Sequence, residues 1–127
     1  MSSIIESVAK SGRYIFCIPL IMFGVNHLTK ADMMAAMVPI PGGVFWVYLT
    51  GVAMLAAAVA IITNIKGLGS LAAFLAGVLI LVYVATIHVP GIIKAKDEMS
   101  RMMPMLATLK DLGMVGGAWA ISLLMRE

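Results

Sequence analysis

The sequence predicts an all-α integral membrane protein, a four-helix bundle of one domain spanning residues 1–127. Of these 127 residues, 62% are hydrophobic and only 12% are charged, whereas a soluble domain is about half apolar and a quarter charged. Several apolar runs also approach the ~20 residues that a helix needs to cross a bilayer. Helices follow from the length of these runs, because a spanning segment must satisfy its backbone hydrogen bonds internally.

Four spans are predicted in chain order, at about residues 8–29, 44–63, 68–89 and 104–125. The first resembles a signal peptide. We expect it to be retained, because no small-residue cleavage site follows it. Glycine and alanine are frequent within the spans, and such small residues let membrane helices approach closely.

Proline and glycine set the predicted limits of these spans. The segment 39–43, with two prolines and two glycines, breaks the chain before the second span. Pro90-Gly91 is predicted to end the third span. Pro104 is expected in the first turn of the fourth, where the N–H that proline lacks would have no helical partner.

Four spans would place both termini on one side of the membrane and the long connections, residues 30–43 and 90–103, on the other. The basic residues are divided equally, with four on the terminal side (Lys10, Arg13, Lys66 and Arg126) and four on the opposite side (Lys30, Lys94, Lys96 and Arg101). Orientation therefore rests on Lys10 and Arg13, which precede the apolar stretch 14–25 of the first span and favour cytoplasmic termini.

Polar residues interrupt the apolar spans at one end of the predicted bundle. Asn26 and His27 end the first span, His88 ends the third, and Lys110 and Asp111 lie near the start of the fourth. All five share a similar depth near the long connections, and intramembrane ionisable groups usually face the bundle interior and pair. We expect Asp111 to accept a hydrogen bond from His27, His88 or Asn26. Lys110 and Asp111 point about 100° apart on a helix, so we do not expect them to neutralise each other.

These residues form a candidate ligand-binding site, with Trp46 as a possible roof. The alternatives are that the polar groups form a structural clamp and that Trp46 is an interfacial anchor. Two histidines and a carboxylate can also hold a metal ion. No two of these ligands share one helix at a suitable spacing, however, so no metal site is predicted.

The positions of the methionines suggest copper(I) binding as a separate function. Seven of the 12 methionines lie in or beside the long connections: Met33, Met34, Met37, Met99, Met102, Met103 and Met105. Their soft thioethers could bind copper(I), although methionine is also an adaptable apolar residue for interfacial segments. Residues 30–38 are predicted to form a short interfacial helix.

Other function classes lack a signal in the sequence. The net charge of +3 is scattered, with no basic run carrying aromatic residues, so nucleic-acid binding has no support. Cys17 is the only cysteine, which excludes an internal disulfide and a CxxC pair. The predicted partner is the lipid bilayer.

Several motifs together resemble those of the DoxX-like family of small four-helix bacterial membrane proteins. They are GVNHL at the end of span one, VPIPGG before span two, LTGVAMLAAAVAI within it, ATIHVPG at the end of span three and LKDLGMVGGAW in span four. The resemblance implies a compact bundle in the bacterial cytoplasmic membrane, quinone-linked redox chemistry and membrane redox complexes as partners. Related members that use thiol pairs find no match here, since Cys17 stands alone.

From these observations we expect the chain to bind an amphipathic molecule such as a quinone. His27 and His88 would donate to the headgroup or exchange protons with it, since histidine titrates near neutral pH. Asp111 would orient a histidine, and Lys110 would supply positive charge. The alternative is a non-catalytic accessory subunit or assembly factor of a larger membrane complex, and a third possibility is copper(I) handling by the methionine-rich loops. Whether the chain is an enzyme is left open.

Overall fold

The computed structural model describes residues 2–126, and this part of the chain is helical with no β-strand. The α-helices are α1 (Ser2–Lys10), α2 (Gly12–Thr29), α3 (Ala31–Ala35), α4 (Gly43–Thr63), α5 (Gly69–Tyr83), α6 (Val89–Lys94) and α7 (Glu98–Leu124). A 3-10 turn over Ile65–Gly67 joins α4 to α5, and a π-helical segment over Val84–His88 joins α5 to α6. The prediction of an all-α protein is confirmed.

Three helical stretches of the described residues are long and apolar enough to cross a membrane: Ser2–Thr29, Gly43–Thr63 and Gly69–Lys94. By length and composition they mark the chain as a membrane protein. Helix α7 has the required length, but Lys110, Asp111 and three glycines reduce its hydropathy, and it is not among the three. A fourth crossing therefore stays a prediction.

The long helices pack as two pairs, α2 against α4 and α5 against α7. Helix α4 also contacts α5, whereas α2 touches α7 only slightly. The buried core lies between these helices and comprises Cys17, Leu20, Met54, Ala58, Ile61, Ala73, Ala76, Ile80 and Val115. Many other large apolar side chains lie exposed on the outer faces of the helices, as expected where lipid is the solvent.

Glycines allow close contact within both helix pairs. A Cβ added to Gly51 of α4 would lie 2.6 Å from the Cβ of His27 and 3.2 Å from the carbonyl oxygen of Gly24 on α2. A Cβ added to Gly77 of α5 would lie 2.5 Å from Nε1 of Trp119 on α7. At these points no larger residue fits without moving a neighbour, which is the role expected of small residues between membrane helices.

The predicted limits of the first two spans compare well with the observed helices. Helix α4 starts one residue before the predicted 44–63 and ends where predicted. The first span, predicted over 8–29, ends correctly at Thr29 but is extended by α1 and interrupted at Ser11. Within the predicted interfacial segment 30–38, only the five residues of α3 are helical.

The prediction that Pro90-Gly91 ends the third span is wrong, because the helix continues to Lys94. The π segment explains how the helix continues although Pro90 lacks a backbone N–H. In this segment the N–H of Val89 donates to the carbonyl of Val84, five residues back. Pro90 then occupies the first turn of α6, where its missing N–H has little cost. The chain therefore passes through Pro90 with a local change of helix type instead of a break.

The predicted start of the fourth span at Pro104 is also wrong, since α7 begins at Glu98. Asp97 starts the helix with a capping box: the backbone N–H of Ser100 donates to Asp97 Oδ1 at 2.7 Å, and the N–H of Asp97 donates to Ser100 Oγ at 3.3 Å. Pro104 lies inside the helix. The methionine-rich stretch 99–105 is therefore helical and not a loop.

Candidate functional site

A cavity of about 510 Å³ lies between the helices at the end of the bundle that carries the long connections. Its lining is mostly apolar. The polar side chains on its wall are His27 from α2, Thr50 from α4, Tyr83 from α5, Thr86 and His88 from the π segment, and Lys110 and Asp111 from α7. Five elements therefore bring their polar groups to one apolar space.

His27 is held in one tautomer by its own helix. Its side chain is almost fully enclosed, with the residue 8% exposed, and Nδ1 lies 2.7 Å from the carbonyl oxygen of Phe23. A carbonyl oxygen can only accept, so Nδ1 carries a proton, and in the neutral ring Nε2 is the acceptor. The hydroxyl of Tyr83 lies 3.3 Å from Nε2 and donates to it. The two rings also stack, with their centroids 6.0 Å apart.

His27 can occupy this position because Gly51 faces it across the contact between α2 and α4. No side chain other than a hydrogen fits between the Gly51 backbone and the His27 Cβ. The glycine thus sets the distance between α4 and the imidazole, and it allows the ring to turn toward Tyr83 on α5. A histidine that is almost enclosed in an apolar bundle needs both of its nitrogens satisfied, and Phe23 and Tyr83 satisfy them.

Asp111 is the centre of the second polar cluster. It is 5% exposed, and its Oδ2 accepts from His88 Nε2 at 2.9 Å while its Oδ1 lies 2.9 Å from Lys110 Nζ. The expected contact of Asp111 with a histidine therefore involves His88, and neither His27 nor Asn26. The expectation that Lys110 and Asp111 do not pair is wrong. Their Cβ atoms diverge, but the four-carbon stem of lysine is long enough to bring the ammonium group back to the carboxylate.

Lys110 also links the two polar clusters. Its ammonium nitrogen lies 4.1 Å from the centroid of the Phe23 ring, a cation–π contact between α7 and α2. Phe23 is the same residue whose carbonyl accepts from His27. The lysine side chain is 50% exposed, so Lys110 is the charged group of the cluster that a ligand or solvent can reach most easily.

Trp46 lies in the first turn of α4, next to the connection from α3 to α4. Its indole N–H donates to the carbonyl of Pro41 at 2.9 Å, and the ring lines the cavity. The connection adds Met37, Pro39 and Ile40 to the lining. Trp46 thus holds the connection against α4 while its ring lines the cavity.

Asn26 is placed differently from the other predicted site residues. It is partly buried, but it is not among the residues that line the cavity. Consecutive residues on a helix point about 100° apart, so the orientation that brings His27 into the cavity turns Asn26 away from it. The other predicted residues, His27, His88, Lys110, Asp111 and Trp46, all line it.

Sequence reasoning missed Tyr83, which lines the cavity and completes the hydrogen bonding of His27. A signal was present, since a tyrosine deep in an apolar span needs a partner for its hydroxyl and Tyr83 lies five residues before His88. Thr50 and Thr86 were missed as well. Their hydroxyls donate to carbonyls of their own helices, at Trp46 and Val82, which leaves their oxygens able to accept.

Residues 2–126 contain no group of three or more histidine, cysteine, aspartate or glutamate side chains placed to hold a metal ion. The methionines at the start of α7, Met99, Met102 and Met103, are all exposed. Met34 and Met37 instead line the cavity, where they act as adaptable apolar surface.

Chemically, the cavity offers an apolar space with two hydrogen-bonding clusters on its wall. Tyr83 and His27 form one, and His88, Asp111 and Lys110 form the other. Such a space suits a ligand that is mostly apolar and has a polar head. Comparison of the chain with family models, curated proteins and solved structures gave no match.

Proposed function

We propose that this chain binds a quinone, or a closely related amphipathic molecule, in the cavity between its helix pairs and presents it to a membrane redox complex. The resemblance to the DoxX-like family motivates the redox setting, and the cavity supplies a place for the ligand. Electron exchange is assigned to the partner complex. The role of this chain is to hold the headgroup and to exchange protons with it.

One observation carries the proposal. An apolar cavity of about 510 Å³ has two polar clusters on its wall, each with a histidine, and both include a group that can release or take up a proton. Cavities of roughly 300–1,000 Å³ with few, well-placed polar groups are typical of small-molecule sites. A purely structural clamp would not require an open space beside the histidines.

The first cluster suits one oxygen of the headgroup. The Tyr83 hydroxyl donates to His27 Nε2, and its oxygen is still able to accept from the O–H of a reduced headgroup. When the headgroup is an oxidised quinone, the same hydroxyl can turn to donate to the quinone carbonyl. His27 keeps its orientation in both cases because the Phe23 carbonyl holds Nδ1.

The second cluster suits a headgroup oxygen that carries negative charge. The ammonium group of Lys110 has three N–H donors, and within residues 2–126 Asp111 is its one close carboxylate partner. The remaining donors are free to approach the ligand. Asp111 holds His88 through Nε2, so the other ring nitrogen is available to exchange a proton. In these roles Asp111 is a positioning residue.

The membrane topology belongs to the same proposal. We place the chain in the bacterial cytoplasmic membrane with α7 as a fourth crossing and with both termini in the cytoplasm. The pairing of α7 with α5 supports a fourth crossing, because Lys110 and Asp111 are then satisfied inside the bundle and not exposed to lipid. The cavity would then lie near the membrane face opposite the termini.

The test is a binding titration with the protein in lipid nanodiscs. Decyl-ubiquinone is added and its binding followed through the fluorescence of Trp46, with the Trp119→Phe variant used to remove the second tryptophan. Saturable binding is expected. His88→Gln and Tyr83→Phe should each weaken it by about tenfold, which is the effect of losing roughly 1.4 kcal/mol of contact energy.

Ser122→Ala is the matched control. Ser122 also makes a polar contact between α7 and α5, because its Oγ donates to the carbonyl of Ser70 at 2.8 Å, but it does not line the cavity. This variant should bind the quinone as the native protein does. Absence of saturable binding, or equal weakening by Ser122→Ala and His88→Gln, would refute the proposal.

A second candidate function is that of an accessory subunit or assembly factor, and one observation favours it. Gly113 and Gly116 lie exposed on α7, and a Cβ added to either meets no atom within 4 Å. Exposed small residues of this kind permit the close approach of another membrane helix. Replacing both by leucine should release associated subunits during purification in mild detergent while leaving quinone binding intact.

A further inference from the structure

The cavity is not closed on all sides, and its open side indicates how a ligand reaches it. Leu49 on α4 and Val82 on α5 both line the cavity, yet each is 47% exposed on the outer surface of the bundle. Thr86, one turn after Val82, also lines the cavity and is exposed. A side chain that faces both an interior space and the exterior stands at an opening.

The opening follows the seam between α4 and α5. On α4 the residues concerned are Trp46 and Leu49, spaced by three, and on α5 and the π segment they are Leu79, Val82 and Thr86, spaced by three and four. These spacings place each set on one helix face, and the two faces meet at the seam. Helix α4 also contacts α5 less extensively than it contacts α2, which leaves room between them.

This seam lies at the depth of the hydrocarbon. Leu49 is the seventh residue of α4, about 9 Å along the axis from the start of the helix, and both α4 and the stretch Gly69–Lys94 are among the helices able to cross a membrane. Of the exposed residues at the seam, Leu49 and Val82 are aliphatic. The polar groups lie behind them on the inner wall, where His27 and Asp111 are almost fully buried.

We propose that the ligand enters sideways from the lipid through the seam between α4 and α5, and that it carries a long hydrocarbon tail. The headgroup lies against the polar inner wall, and the tail stays in the seam beside Leu49 and Val82 and continues into the bilayer. This inference rests on the proposed quinone site and specifies its ligand class as a lipid-dissolved, tailed molecule, in contrast to a water-soluble one entering through the long connections.

The test uses native protein in nanodiscs and a ubiquinone analogue whose decyl tail ends in a diazirine. After illumination, the labelled residues are mapped by mass spectrometry, with and without excess decyl-ubiquinone. We expect label on α4 or α5 near residues 49 and 82, and we expect excess decyl-ubiquinone to reduce it. If the label that excess decyl-ubiquinone reduces lies on residues 36–41, the lateral route is wrong but the proposed quinone binding is still supported. Absence of any competed label would overturn both.

A variant pair gives an independent measurement. Val82→Trp should fill the seam and slow the binding of decyl-ubiquinone by about tenfold or more, while a quinone without a tail is affected much less. Val59→Trp is the control, because Val59 on α4 is also exposed, at 58%, but does not line the cavity. Equal effects of Val82→Trp on the tailed and tailless quinones would contradict the proposal.

Discussion

Asp111 Oδ2 lies 2.9 Å from His88 Nε2, and this contact joins α7 to the π segment that precedes α6. The two residues are 23 positions apart in the chain. The π segment has a direct part in the contact, since it carries His88 as its last residue and lets the helix continue through Pro90. Single π-helical turns inside α-helices are often found at functional sites.

The first prediction concerns the energy of this contact. Because Asp111 is buried and His88 is its partner across the bundle, Asp111→Asn and His88→Gln should each lower the free energy of unfolding by about 1–2 kcal/mol. The double variant should lose less than the sum of the two. Unfolding in mixed micelles measures all four proteins, and a coupling energy within error of zero would argue against the contact.

Gly51 gives the second prediction. Gly51→Ala adds a methyl group 2.6 Å from the Cβ of His27, so the two helices must separate or the imidazole must move. We expect a loss of about 1–3 kcal/mol of stability together with weaker quinone binding. Gly113→Ala is the matched control, since nothing lies within 4 Å of its added Cβ. It should be neutral, or stabilise the helix by up to about 1 kcal/mol. Similar destabilisation by both variants would contradict the packing argument.

Tyr83→Phe gives the third prediction, which separates binding from stability. The variant removes one hydroxyl, whose contact with His27 is long at 3.3 Å, so the stability should fall by only about 0.5–1.5 kcal/mol. Quinone binding should nevertheless weaken by about tenfold. A large loss of stability with unchanged binding would show that the hydroxyl acts only as a structural group.

The fourth prediction concerns the pH dependence of the cap of α7. The hydrogen bonds from the backbone N–H and side chain of Ser100 lower the pKa of Asp97 from its ordinary value. Since the folded pKa is the lower one, the cap stabilises the protein fully above the unfolded pKa, which is about 4. That stabilisation is lost as the pH falls through the folded value.

Asp97→Ala should therefore be less stable than the native protein at pH 7, and the difference should shrink on acidification toward pH ~3. Asp97→Asn keeps a side-chain acceptor for the Ser100 N–H and should remove this part of the pH dependence while retaining most of the stability at pH 7. Thermal unfolding at the two pH values provides the measurement. Identical unfolding curves for Asp97→Ala and the native protein at pH 7 would show that the cap does not contribute to stability.

The sequence by itself determined the helical class, the membrane character and the approximate position of most helices. These features follow from local properties, namely the length of the apolar runs and the scarcity of charge. Helix α4 is the clearest case, with both ends marked by neighbouring glycine, proline or asparagine residues and predicted to within one residue. The grouping of His88, Lys110 and Asp111 at one depth was also visible from helix lengths alone.

The tertiary structure decided whether helices continue past proline residues and which polar side chains meet, because these features depend on packing as well as on local sequence. Pro90 and Pro104 are helix breakers by themselves, but a π segment lets the helix continue through Pro90, and Pro104 lies inside α7, which begins upstream at the Asp97 capping box. The partner of Asp111 depends on the rotation of each helix about its axis, which selects His88, brings Tyr83 to His27 and turns Asn26 away. A sequence gives the depth of a residue through the rise per residue, but the direction of its side chain is set by the helices that pack around it.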